Sequence, residues 1–153
     1  MTSPAATIHA TAVLVGRHAV LIRGPSGSGK SRLALDLIAM ARTGALAFAR
    51  LVADDRVLLE AHYGRLVARP PAALAGLIEV RGLGLMRLAH EESAVVGLVV
   101  DLAAADAERL PEPAARRTDI GGIVLPRLAV ASADAALPAV RAYMVHEMTR
   151  ADG

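Results

Sequence analysis

Eight consecutive residues, Gly24-Pro25-Ser26-Gly27-Ser28-Gly29-Lys30-Ser31, fit G-x-x-x-x-G-K-[ST] without a gap. No other stretch narrows the possible folds as far, because this motif works only between a strand and a helix. Both flanks comply. Ala19-Val20-Leu21-Ile22 before it reads as a buried strand. Leu33, Ala34, Leu35, Leu37, Ile38 and Met40 after it read as a helix. Backbone N–H groups of such a loop, together with the helix N-terminus, point at phosphate oxygens. Lys30 is expected to reach the β- and γ-phosphates of ATP, and Ser31 to ligate Mg²⁺.

The rest of the chain reads as one domain with more strands than helices. Its 153 residues suit a single domain. Thr11–Val15 and Ala19–Arg23 read as two strands joined by a turn at Gly16-Arg17-His18. The helix after the loop spans about Lys30 to Arg42, closed by Thr43-Gly44. Arg50–Ala53 is a strand ending at Asp54-Asp55. Val57–Glu60 and Leu66–Ala68 flank Tyr63-Gly64 as a hairpin. Leu77–Val80 is a short strand, followed by a Gly-punctuated segment from Arg81 to Leu85. Ala94–Leu102 is strongly strand-like. Ala103–Pro113 reads as loop or short helix, and Ile123–Leu125 and Leu128–Val130 look extended. Ala133–Met148 reads as a closing helix with Ser132 as its N-cap and Pro138 near its first turn. Residues 1–7 are expected to be a disordered lead. Strands and helices do not alternate as in a simple doubly wound nucleotide fold. A mixed sheet with antiparallel partners, wrapped around one phosphate-loop helix, fits better.

Composition removes several functions. There is no cysteine, which excludes disulfides and thiolate chemistry. The net charge of +2 gives no steering toward nucleic acid. Phe48, Tyr63 and Tyr143 are the only aromatic residues, too few for a base-stacking platform. The most apolar run, Ala94 to Ala105, is broken by Asp101 and too short to span a bilayer. Met1-Thr2-Ser3-Pro4 has no basic region before an apolar stretch, so no secretory signal is expected. A cytoplasmic protein with no nucleic-acid or membrane partner is the expectation.

Other residues add chemistry to the loop. Asp54-Asp55 closes an apolar strand, and ligands of open α/β sheets bind outside the carboxyl ends of strands. A carboxylate there can hold Mg²⁺ through water or accept a proton from an attacking hydroxyl. Glu79 and Arg81 are two apart on a strand and share a face. They read equally well as a surface ion pair or as a metal ligand beside a phosphate clamp. His9, taken alone, reads as a surface residue. Arg109 is unremarkable in its polar stretch, and Arg116-Arg117 reads as solvated loop. His18, His62, His90 and His146 have no spaced partner.

Taken in order, Ile8-His9-Ala10, the phosphate loop, Leu51-Val52-Ala53-Asp54-Asp55 and Ile78-Glu79-Val80-Arg81-Gly82-Leu83-Gly84-Leu85 resemble the catalytic domain of the HPr kinase/phosphorylase family. The segment around Glu79 resembles that family's signature, L-E-[IV]-R-G-L-G-[IL]. The family acts on a serine of the phosphocarrier protein HPr within a phosphotransferase system. The resemblance runs from about Ile8 to about Val130. It implies a fold like the nucleotide domain of phosphoenolpyruvate carboxykinase and a ring-shaped hexamer.

The resemblance also implies roles. Asp55 is the general base for the HPr serine, and the general acid in reverse. Lys30 holds phosphate, and Gly24 to Ser31 bind the nucleotide. Ser31, Asp54 and Glu79 serve Mg²⁺. His9 is the active-site histidine, and Arg109 contacts the transferred phosphate.

The chain departs from the family pattern in places. His9 lies almost at the start, which resembles the short α-proteobacterial form that accompanies a nitrogen-type phosphotransferase system. Arg32 stands where Glu is common, and the stretch from Glu79 to Arg109 is short. After Val130, Ala131-Ser132-Ala133-Asp134 replaces a basic P-x-x-x-G-R segment linked to dephosphorylation. Two readings of other classes compete: a small-molecule kinase on the same loop plan, and a non-catalytic nucleotide-sensing module.

Overall fold

The structure is a computed structural model and describes residues 6–151. Three strands set the frame: β1 (Ala6–Ile8), β2 (Thr11–Val15) and β3 (His18–Arg23). The phosphate loop then leads into helix α1 (Lys30–Arg42). Strands β4 (Ala49–Ala53), β5 (Val57–His62), β6 (Arg65–Arg69), β7 (Leu77–Val80), β8 (Gly84–Arg87) and β9 (Ala94–Asp101) follow. The chain closes with β10 (Arg117–Ile120), β11 (Ile123–Ala129) and α2 (Ala133–Ala151).

The main sheet runs β1-β5-β6-β9-β3-β2-β4, with β11 also on β9 and β10 on β11. It is mixed: β9 is parallel to β3 and β11 but antiparallel to β6. β7 and β8 form a separate antiparallel pair. The strand-rich mixed sheet around a phosphate-loop helix is therefore what the chain builds.

Alternation along β3 explains the layering. Val20 and Ile22 face one side and join Leu33, Ala34 and Leu37 of α1 and Ala136 and Val140 of α2. Ala19 and Leu21 face the other side, where they meet Val57 and Leu59 of β5 and Leu66 and Ala68 of β6. All four β3 residues have no exposed surface, so β3 is a strand buried on both faces. Ala12, Val52 and Ala53 share the second cluster with β5 and β6. Those strands lie far apart in the sheet order, so the sheet bends over on itself.

Several expectations need correction. Ala6 and Thr7, placed in a disordered lead, pair with Leu59 and Leu58 in β1; residues 1–5 lie outside the described residues. The segment after Val80 is not merely Gly-punctuated but turns back as β8. Arg117 begins a strand rather than lying in a loop. The two extended pieces around Pro126 are one strand. It tolerates a proline because Pro126 pairs with β10 alone, and β9 takes over at Arg127. Pro138 is inside α2, beyond its first turn, where it deletes the hydrogen bond to the Asp134 carbonyl. The caps hold: Ala135 N–H donates to Ser132 Oγ at 3.2 Å, and Gly44 follows α1 with φ +83°.

One ion network fastens the carboxyl end of β9. Arg23 Nε donates to Asp101 Oδ1 at 2.7 Å and Arg127 Nε to Asp101 Oδ2 at 2.5 Å. Arg127 also holds Asp106 with both terminal nitrogens, at 2.7 and 2.9 Å. Burial alone would raise the Asp101 pKa, but the hydrogen bonds from Arg23 and Arg127 outweigh it and hold it below 3.8. A depressed folded pKa stabilises above the unfolded value and loses that contribution as pH falls through the folded one. Asp101→Asn is therefore expected to lower stability at neutral pH and flatten the fall below about pH 4. Urea unfolding from pH 7 to pH 2 checks this; parallel acid limbs in the two proteins would refute it.

Candidate active site

The phosphate loop opens onto a cleft of about 570 Å³. Its floor is the loop from Ser26 to Ser31; its walls include His9, Thr11, Asp54, Asp55, Glu79 and Arg81. Two glycines of the loop are obligatory for different reasons. A Cβ on Gly29 would stand 2.7 Å from Ala133 Cβ, and its φ is +97°. A Cβ on Gly24 would stand 2.5 Å from Ser28 Oγ and 3.1 Å from the Leu102 carbonyl oxygen. The first turn of α2 and the end of β9 thus press the loop into shape.

Lys30 begins α1 and is 7% exposed. Its Nζ donates to the carbonyls of Gly24 and Pro25 at 2.8 and 3.1 Å. Burial lowers its pKa, while Asp54 and Asp55 oppose that shift. These bonds hold the ammonium against the loop backbone.

Asp54 is the structural centre, 4% exposed at the end of β4. Its Oδ1 accepts from Thr11 Oγ1 at 2.8 Å and from Ser31 Oγ at 2.6 Å. Its Oδ2 accepts from the Glu79 backbone N–H at 3.0 Å. The carboxylate thus joins β2, the loop and β7. Thr11 was not foreseen; a hydroxyl residue opening an apolar strand, fully buried here, was the available signal.

Asp55 follows in a left-handed conformation, φ +66°. The turn around it is closed by Arg56 N–H to Asp54 O at 2.7 Å. Positive φ is uncommon outside glycine, though Asp tolerates it better than most, and such residues cluster at functional sites. Its Oδ1 lies 3.0 Å from His9 Nε2. His9, a surface residue by sequence alone, is therefore part of the site.

Glu79 and Arg81 both line the cleft, although Arg81 sits in the turn beyond β7. Arg109 does not. It lies exposed in the loop after β9 and is absent from the cleft wall, so the chain does not bring it to the other site residues. Arg32, Ser132 and Asp134 join the wall unannounced. They do so because α2 packs beside α1.

The residues fit a nucleotide and a hard cation. Hydroxyl and carboxylate oxygens are the donors such an ion takes, and Ser31 Oγ and Asp54 Oδ1 are 2.6 Å apart beneath the loop. Among the described residues no group of three or more His, Cys, Asp or Glu side chains is arranged to hold a metal by itself. Mg²⁺ is commonly held by one or two carboxylates plus substrate phosphates, a donor set that Ser31 and Asp54 can begin. Ser28 Oγ is buried and has no hydrogen-bond partner among the described residues, which fits a loop shaped to meet a phosphate oxygen.

The chain is similar to known proteins in sequence and in fold. The family model for the HPr Serine kinase C-terminal domain matches residues 1–131. HPr kinase/phosphorylase of Clostridium beijerinckii is 39% identical over 84 residues, covering 55% of this chain and 26% of that protein. Its counterpart in Halalkalibacterium halodurans is 41% identical over 87 residues, covering 56% and 26%. The aligned region thus spans about a quarter of the length of the curated relatives. The HPr(Ser) kinase/phosphatase structure from Coxiella burnetii superposes with a TM-score of 0.75 at 23% identity, covering 97% of this chain and 99% of that one. No helix among the described residues is long and apolar enough to cross a membrane. With the loop, the Asp54-Asp55 pair and Glu79 to Arg81 at the end of β7 in one cleft, and a family match across most of its length, the chain belongs to the HPr serine kinase C-terminal domain family.

Proposed function

We propose that the chain transfers the γ-phosphoryl group of ATP to a serine of an HPr-like phosphocarrier protein, as a catalytic domain of a phosphotransferase-system regulator. The observation that carries this reading is the adjacency of Asp54 and Asp55. One is hydrogen-bonded to the loop serine at 2.6 Å, and the next faces the cleft beside His9. The first suits the metal–phosphate side and the second suits a base.

Loop N–H groups and Lys30 hold the triphosphate. Ser31, Asp54 and Glu79 would hold Mg²⁺, which supplies neutralisation of phosphate charge when bound. Asp55 accepts the serine proton while His9 orients its carboxylate. The serine oxygen forms its bond to the γ-phosphorus as the bond to the β–γ bridging oxygen breaks, and ADP leaves with that electron pair. In the opposite direction an oxygen of inorganic phosphate would bond to the phosphoserine phosphorus as the bond to the serine oxygen breaks, protonated Asp55 would give its proton to that serine oxygen, and pyrophosphate would leave. A cytoplasmic homo-oligomer, a hexameric ring by family resemblance, belongs to the same reading, with residues 1–153 as one catalytic domain.

Labelled ATP incubated with the protein, Mg²⁺ and HPr tests it. Label on an HPr serine is expected. Label on a small metabolite would favour a metabolite kinase, and binding without transfer a nucleotide sensor. Repeating the assay with phospho-HPr and inorganic phosphate tests the reverse direction.

A further inference from the structure

One stretch of the cleft wall takes no part in the transfer step. It runs along α1 with Arg32, Leu35 and Asp36, and across from them lie Ser132, Ala133 and Asp134 at the start of α2. Positions 32, 35 and 36 share one face of the helix.

Two of these side chains meet. Arg32 Nη2 donates to Asp134 Oδ1 at 2.5 Å, across 102 residues. Arg32 Nε also stands 4.0 Å from Asp36 Oδ2. Arg32 occupies a position where Glu is common in the family, and Asp134 lies in the segment that replaces a basic one. The fold thus brings two departures from the family pattern into one contact. As a staple that contact is weak. The two side chains are 63% and 74% exposed, and exposed ion pairs add little stability. α2 is seated without it, through Ala133 against Gly29 and through Ala136 and Val140 in the core.

The pair is better matched to a ligand. Two carboxylates on the wall of a polyanion site repel what should bind there, and Arg32 is the cation paired with both. A guanidinium carries five N–H donors. Among the described residues Arg32 commits one nitrogen to a hydrogen bond, so donors remain for an anion. Its place in the chain says which anion. Lys30 serves the β- and γ-phosphates, and Ser31 the metal beside them. Arg32 follows Ser31 in the first turn of α1, where the free N–H groups of the helix N-terminus lie. The next phosphate outward from the metal is the α-phosphate.

We propose that Arg32 binds the α-phosphate of the nucleotide, and that Asp134 is a positioning residue that holds the guanidinium on the cleft wall. This rests on the nucleotide-dependent reading above and assigns the α1–α2 end of the cleft to the nucleoside.

The test is calorimetric titration of the full chain with Mg²⁺ and ADP. Beside ADP, it uses the two diastereomers of adenosine 5′-O-(1-thiodiphosphate), each with sulfur at one non-bridging α-oxygen. The variants are Arg32→Gln, Asp134→Ala and the double substitution, with melting curves to verify folding. Wild type is expected to bind one diastereomer about fivefold more weakly, since sulfur is a weaker acceptor than the charged oxygen it replaces. Arg32→Gln should lower ADP affinity about tenfold, and should bring the diastereomers within about twofold of each other. A purely structural role would not move that ratio. Asp134→Ala should weaken ADP about threefold in wild type and cause no further loss in Arg32→Gln, because it acts through Arg32.

The proposal is overturned if wild type does not distinguish the diastereomers, or if Arg32→Gln keeps their ratio. It is also overturned if Arg32→Gln binds ADP as wild type does. An Asp134→Ala loss of equal size in both backgrounds removes the positioning role. No acceptor protein enters these titrations. An Arg32-dependent ratio in a protein that leaves HPr unlabelled upholds the assignment and removes the transfer reading, whereas absence of ADP binding removes both.

Discussion

Asp55→Asn is expected to abolish HPr phosphorylation while ATP binding survives. A positioned general base contributes about 10²- to 10⁴-fold, and kcat should fall by that amount. The substitution isolates charge from shape. Asp55 occupies φ +66°, a conformation Asn also tolerates, so the turn closed by Arg56 N–H should persist. The His9 contact at 3.0 Å can also persist with an amide in place of the carboxylate. Only the ability to take the serine proton is lost. Calorimetric titration with ATP analogues, beside single-turnover transfer to HPr, separates binding from chemistry. Near-normal turnover in this variant would remove Asp55 from the mechanism.

Asp54→Ala should strike both stability and nucleotide binding. Three donors converge on this carboxylate from β2, the phosphate loop and β7. Removing it strands the fully buried Thr11 hydroxyl and frees β7 from the loop. Hydrogen bonds to a charged group contribute roughly 1.5–3 kcal/mol each and do not add fully. A loss of at least about 3 kcal/mol is the expectation, read from urea unfolding. Mg²⁺-dependent nucleotide affinity should fall with it. Asp54→Asn keeps acceptor capacity at one oxygen and should retain more stability than Asp54→Ala while losing the metal dependence. Equal stability in Asp54→Ala and wild type would mean that Asp54 is not the hub its contacts describe.

The two aspartates show how far sequence reading reaches. Their place at the end of β4 was legible, because an apolar run followed by two carboxylates marks the carboxyl end of a strand. Their division of labour was expected only through family resemblance. Its physical basis is that Asp54 turns inward, under the loop, while the left-handed turn at Asp55 carries the next carboxylate into the cleft. Asp is among the few non-glycine residues that tolerate that turn, but the local sequence does not say which of the two aspartates adopts it. Strand β8 was missed for a similar reason. Gly82 and Gly84 read as punctuation, yet the hairpin pairs through the backbone and needs few side chains. Pro126 hid the continuity of β11, because a proline in a strand is acceptable only where one ladder ends and another begins.

The sequence by itself determined the nucleotide loop, the strand before it, the helix after it and the apolar pattern of the central sheet. These are local: they depend on glycine where backbone must pass close, on Lys30 and Ser31 at fixed spacing, and on apolar periodicity within one element. Only the tertiary structure decided which charged and polar groups meet. His9 reaches Asp55 across 46 residues, and Thr11 reaches Asp54 across 43. Arg32 reaches Asp134 across 102. Those meetings depend on sheet register, on the bend of the sheet and on the packing of α2 against the loop. Short-range sequence patterns do not encode them. Arg81 belongs to the same class. Its Nη2 lies 3.3 Å from where a Cβ on Gly27 would stand, beside a β7 tied to Asp54 through the Glu79 N–H, and both contacts exist only in the folded chain.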